Sequence, residues 1–84
     1  MNISRIEQRV LHVLARGGCI RHLRDGHRIV AVDCIDRDGH RLADCDLATF
    51  ERLRRRRLIV STGGRPYVAS LLGRRAVRAE FDQR

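Results

Sequence analysis

Residues 46–72 read DLATFERLRRRRLIVSTGGRPYVASLL, and the fold turns on how that stretch divides. Asp46 is a good helix N-cap, and Leu47, Phe50 and Leu53 then recur every three residues as a narrow apolar stripe. On a helical wheel Ala48, Thr49, Arg52, Arg55 and Arg56 fall opposite that stripe. Leu58-Ile59-Val60 is too short for a second helix and fits a buried strand. Gly63-Gly64 supplies a tight turn, and Pro66-Tyr67-Val68-Ala69 returns as the partner strand. No glycine stops the helix, so it is expected to end near Arg56 with Arg57 at its C-cap at some conformational cost. The alternative is that Arg54 and Arg57 lay their stems along the core and turn their guanidinium groups outward.

A helix with an arginine face running into a glycine-tipped hairpin is the second half of a winged-helix module. There the helix lies against DNA, and the hairpin tip, here carrying Arg65, touches the backbone. Working toward the N-terminus, Ser4 and Glu7 form a capping box that starts a first helix at Arg5. Ile6, Val10, Val13 and Leu14 share one face, with Leu11 widening it, and Gly17-Gly18 ends the helix. That wide face is the surface on which a homodimer would form.

From Cys19 the pattern turns to strands. Cys19–Leu23 and Arg28–Ile35 flank an Asp25-Gly26 turn, and His40–Leu42 follows a second turn at Asp38-Gly39. Along the second strand Val30, Val32 and Cys34 are expected on one side, with Ile29, Ala31, Asp33 and Ile35 on the other. The residues just before Asp46 show no helical period, and 42–45 allow a single turn at most, so the middle helix of a winged helix is replaced or displaced by sheet. Toward the C-terminus Leu71-Leu72-Gly73 leads into a last short helix over 74–79, with Phe81 docking it and 82–84 as a polar tail. The expected fold is therefore one α+β, winged-helix-like domain spanning residues 1–84: N-terminal helix, β-meander, basic helix, wing hairpin and short C-terminal helix.

The charge is unevenly placed. All 18 basic residues are arginine and the formal net charge is +8. Residues 1–46 hold eight arginines against seven acids, whereas residues 47–84 hold ten against three. The positive field thus belongs to the half with the basic helix and the hairpin, which suits a polyanion or an acidic protein. Arg52, Arg55, Arg56 and Arg65 are the candidate phosphate contacts, Arg74 and Arg75 outer members, and Thr49 a candidate for a base edge. Few amide or aromatic side chains accompany them, so contact with phosphates is favoured over readout of sequence. The bland reading is a solvated arginine face.

No apolar run is long enough to span a bilayer, and no leader pattern opens the chain. Cys19, Cys34 and Cys45 are an odd set without a close pair, which points to a cytoplasmic chain with reduced thiols and to core packing. A metal set drawn from Cys19, His22, His27, Cys34, His40 and Cys45 lacks the close ligand pairs of a zinc site, so no metal or cofactor is expected. His22, His27, Asp33 and Asp36 could serve as acid and base, but no spacing singles out a pair. The chain reads as one that binds and does not catalyse.

Several stretches resemble the YjhX-like family: MNISRIEQRVLHVLARGG at the start, RDGHRIVAVDC, FERLRRRRLI with Ser61, Gly64, Pro66 and Tyr67, and VRAEFDQR at the end. The resemblance covers nearly the whole chain. It implies a toxin of a bacterial toxin–antitoxin pair, inhibition of a type I DNA topoisomerase as the action, and an acetyltransferase-like antitoxin. It carries over no catalytic residue. A non-toxic winged-helix DNA-binding regulator is the second reading, and an RNA-cleaving toxin the third.

Overall fold

The computed structural model describes residues 2–82, with side chains of the last helix described through Val77. Helix α1, Arg5–Ala15, opens with the capping box: the Glu7 amide donates to Ser4 Oγ at 3.1 Å and the Ser4 amide to Glu7 Oε1 at 2.9 Å. It ends as the Gly17 and Gly18 amides return to the Leu14 and Val13 carbonyls. Its inward face is Glu7, Val10, Leu11 and Leu14, while Ile6 is exposed and Val13 half-buried. The expected dimer face is therefore spent on the protein's own core.

Strands β1, Cys19–Asp25, and β2, Arg28–Ile35, form an antiparallel hairpin, and the two-residue β3, Arg41–Leu42, adds at the base of β2. Ile20, His22 and Arg24 lie opposite Cys34, Val32 and Ile29, and partners across a ladder share a face. The register slips between Leu23 and Arg24, leaving Val30 as an extra residue on β2. That bulge corrects the expected alternation: Ile29 turns to the buried side with Cys34, and Val30 is exposed.

Helix α2, Leu47–Arg55, is followed by β4, Ile59–Val60, and β5, Val68–Ala69, which pair antiparallel. Gly63 and Gly64 have φ of 62° and 77°, and the Arg65 amide donates to the Thr62 carbonyl at 3.2 Å, which makes a type I′ turn. A single reciprocal bridge, Ile20 with Tyr67 at 2.8 Å in both directions, joins this hairpin to β1. One cluster of buried side chains runs through all of it, from Val10, Leu11 and Leu14 to Ile20, Phe50, Leu53, Leu58 and Ala69.

Helix α3, Leu71–Asp82, begins earlier than expected. Ser70 caps it, its Oγ accepting from the Gly73 amide at 3.0 Å while its hydroxyl donates to the Arg57 carbonyl at 2.7 Å. Gly73 is inside the helix because the helix crosses the chain there: a Cβ would stand 2.1 Å from the Leu58 carbonyl oxygen. Phe81 docking and the tail beyond 82 lie outside the described side chains. No helix among the described residues is long and apolar enough to cross a membrane.

Candidate polyanion-binding face

Helix α2 is held at both ends by local hydrogen bonds. At the N-terminus Asp46 Oδ1 accepts from the Thr49 amide at 2.8 Å, and this bond holds the Asp46 carboxyl below its ordinary range. At the C-terminus the Arg57 amide returns to the Arg54 carbonyl and the Leu58 amide to the Leu53 carbonyl, both at 3.0 Å. This is a Schellman ending, with Leu53 and Leu58 packed together in the core as its apolar contact. The left-handed position falls on Arg57, φ 62°, one residue past the C-cap Arg56.

The buried face of α2 is Thr49, Phe50 and Leu53. Phe50 meets the Tyr67 ring edge-on at 4.9 Å between centroids, and Tyr67 in turn meets His22 at 5.2 Å. This packing fixes the rotation of the helix about its axis and brings Thr49 inward, to 2% exposure. Its hydroxyl accepts from Arg52 Nη2 at 3.2 Å. The expectation that Thr49 reaches a base edge fails on that geometry.

The arginines then separate into two groups. Arg56 is half-buried, with Nη1 3.4 Å from Glu7 Oε2 and Nη2 donating to the Asn2 carbonyl. It clamps the start of α1 to the end of α2, and its place among the phosphate contacts is corrected accordingly. Arg54 sits 5.5 Å above the Phe50 ring and pairs with Glu51 at 3.0 Å. The Tyr67 phenol, followed by Glu51, holds its guanidinium above the ordinary arginine range.

Arg52, Arg55 and Arg57 are exposed, and among the described residues none forms an ion pair. Arg65 is exposed at the hairpin tip, its carbonyl accepting from the Ser61 hydroxyl, and Arg74 and Arg75 are exposed on the first turns of α3. Arg57 is the site residue that a search for charge at helical spacing passes over. Its signal is the missing glycine after Arg56.

Other candidate chemistry disperses. Asp33 pairs with Arg41 at 3.0 Å, and His27 stands in the β1–β2 turn. His22 packs on Tyr67, with Nδ1 buried and unpartnered. Asp36 Oδ1 accepts from the Asp38 and His40 amides, both at 2.9 Å, and the His40 bond leads in holding its carboxyl low. Asp36, Asp38 and His40 are the one trio of potential metal ligands within reach of one another among the described residues, and turn-forming hydrogen bonds account for their closeness. Cys34 and Cys45 are buried side by side; the hydrogen bond between them, then burial, pushes the Cys34 thiol up.

Comparison with known proteins gives one consistent answer. The family model described as "Putative toxin of bacterial toxin-antitoxin pair" matches residues 1–84. A UPF0386 protein of Beijerinckia indica is 61% identical over the whole of both chains, and one of Brucella anthropi 55% identical over the whole of both. A UPF0386 protein of Rhodospirillum rubrum is 61% identical over 98% of this chain and 92% of its own. No solved structure matches. With its capping box, meander and Pro66-Tyr67 hairpin all inside the matched span, the chain belongs to the YjhX toxin family.

Proposed function

We propose that the whole chain, residues 1–84, acts as one cytoplasmic domain, the toxin of its pair, and that it works by binding DNA without chemistry of its own. The observation that carries the reading is the set of exposed, unpaired arginines Arg52, Arg55 and Arg57 around the end of α2. A basic helix followed at once by a glycine-tipped hairpin is the order of elements with which winged helices meet a duplex, and here the helix end supplies the phosphate contacts. The Tyr67 bridge to Ile20 of β1 supports that comparison, although β2 and β3 stand where such modules have a helix. Covering the DNA that a type I topoisomerase must grip would inhibit that enzyme without any reaction. An acetyltransferase-like antitoxin would relieve the inhibition by occupying the same protein.

Two measurements test this. Binding to a labelled random-sequence duplex is followed across a salt series, with Arg52→Ala/Arg55→Ala as the variant. The expected result is a steep fall in affinity with log salt, flattened by about two units in the variant. Inducing the chain in a bacterium is expected to slow growth and alter plasmid supercoiling. Absence of duplex binding at low salt would remove DNA as the target, and unchanged growth would remove the toxin reading.

A further inference from the structure

Residues 52–79 contain nine arginines and no acidic residue. Within that acid-free span four large apolar side chains stand exposed: Val60 at 44%, Val68 at 40%, Leu71 at 66% and Leu72 at 40%. Val60 and Val68 are direct partners in the β4–β5 ladder, so they share the outer face of the hairpin, while Ile59 and Ala69 face the core. Leu71 is three residues beyond Val68 and, by chain reach, within about 10 Å of it. Backbone bonds fix this junction: the Ser70 amide donates to the Leu58 carbonyl at 3.0 Å, and Gly73 lies against the same carbonyl.

A nucleic-acid backbone does not explain this surface. Phosphates reward the arginines and give nothing to exposed valine and leucine, whose burial is worth about 25 cal/mol per Å² wherever a partner supplies apolar area. Val60 and Val68 on one face, with Leu71 and Leu72 next along the chain, make an exposed apolar stretch of the kind that a monomer keeps mainly where something covers it. A second copy of this chain would bring arginine against arginine, because the span holds no acid to complement it.

We propose that the outer face of the β4–β5 hairpin and the start of α3 dock an acidic amphipathic helix of a partner protein. Its apolar stripe covers Val60, Val68, Leu71 and Leu72, and its acidic flanks meet Arg65, Arg74 and Arg75. This divides the positive surface in two: Arg52, Arg55 and Arg57 serve the polyanion, and the hairpin and α3 arginines serve the partner. The inference rests on the toxin reading only in that the partner would then be the antitoxin. The docking chemistry stands apart from it.

The test uses a fluorescent helical peptide of about 15 residues with leucine at i, i+3, i+4 and i+7 and glutamate elsewhere on the exposed turns. A control peptide replaces each leucine by serine at unchanged charge. The full chain is compared with Val68→Thr, Leu71→Gln and Arg52→Ala/Arg55→Ala, each checked for native circular dichroism.

The leucine peptide is expected to bind, with the serine control weaker by about tenfold or more. Val68→Thr and Leu71→Gln should each weaken binding several-fold, and Arg52→Ala/Arg55→Ala should leave it within about twofold. Equal binding of the two peptides, no binding of either, or no response to Val68→Thr and Leu71→Gln would overturn the proposal. So would ready displacement of the leucine peptide by random duplex. A chain that binds the peptide as expected but leaves bacterial growth unchanged keeps the docking surface and loses the toxin reading.

Discussion

Arg57 is the sole non-glycine residue with positive φ among those described, and it stands next to the exposed arginines of α2. A left-handed backbone costs an L-residue about 1–2 kcal/mol, and glycine is the common occupant of this position after a helix. Arg57→Gly is therefore expected to raise stability by about 0.5–1 kcal/mol, the gain reduced by the greater freedom of glycine in the unfolded chain. The same change should lower the slope of log affinity for duplex against log salt by about one unit. A urea midpoint that falls would show that φ 62° is not strained. Glu7 supplies the second residue-scale prediction. Burial pushes its carboxyl up, but the Ser4 hydrogen bonds and the charges of Arg56 and Arg52 outweigh burial and hold it below 4.5. A depressed carboxyl stabilises fully above the unfolded pKa and loses that contribution as pH falls through the folded one. Glu7→Gln should thus cost about 1–3 kcal/mol at pH 7, and the gap to the parent protein should narrow steadily in urea melts below about pH 4.5. A gap that stays constant with pH would assign Glu7 a packing role only.

At the scale of the element, α3 is set by one close approach. Gly73→Ala would put a methyl group 2.1 Å from the Leu58 carbonyl oxygen, a backbone atom that also accepts from the Ser70 amide. The helix must lift, which loses both the Ser70 cap and the Ala76 and Val77 packing, at a cost of about 3 kcal/mol or more. Gly64→Ala meets nothing within 4 Å and strains only its φ of 77°, so about 1–2 kcal/mol is expected. Thermal melts of the two variants should rank them in that order; equal losses would mean that α3 does not depend on the crossing. The same comparison explains what was legible in the sequence. The Ser4–Glu7 capping box, the Asp46 N-cap that starts the basic helix, the β1–β2 turn and the Gly63-Gly64 turn were legible because each is decided by residues within four of one another. The early start of α3 was not, because Gly73 reads as a breaker until Leu58 is known to lie beneath it. Thr49 was placed on the wrong face for a similar reason: helical spacing orders side chains around an axis, but contact with Tyr67 and Leu58 decides which arc faces in. The Val30 bulge flips Ile29 with no local mark in a run of β-branched residues. The arginine set was legible as charge, and its division into clamp and open face required the Glu7 and Asn2 contacts of Arg56.

Taken as a whole molecule, the protein carries a formal +8 on 84 residues, with the excess gathered in the second half. Four arginine–carboxylate ion pairs are present among the described residues, and three of them are substantially exposed, where a pair is worth about 0–1 kcal/mol. Repulsion among the five arginines of 52–57 acts at helical spacing, and the acids near them, Glu51, Glu7 and Asp46, are fewer than the arginines they offset. Self-repulsion therefore outweighs pairing, and added salt should stabilise the fold. Raising sodium chloride from about 0.05 M to about 0.5 M shortens the screening length to a few ångströms and should raise the unfolding free energy by about 1 kcal/mol. Arg52→Ala/Arg55→Ala should be more stable than the parent at low salt and should respond less to salt. Its affinity for duplex should fall at the same time. Opposite movement of stability and binding in one variant is the expected signature of charges kept for a partner. A solvated face without a partner would move stability alone. A parent protein that loses stability as salt is added would mean that its four arginine–carboxylate pairs dominate, and the arginine face would then have to be read as part of the fold.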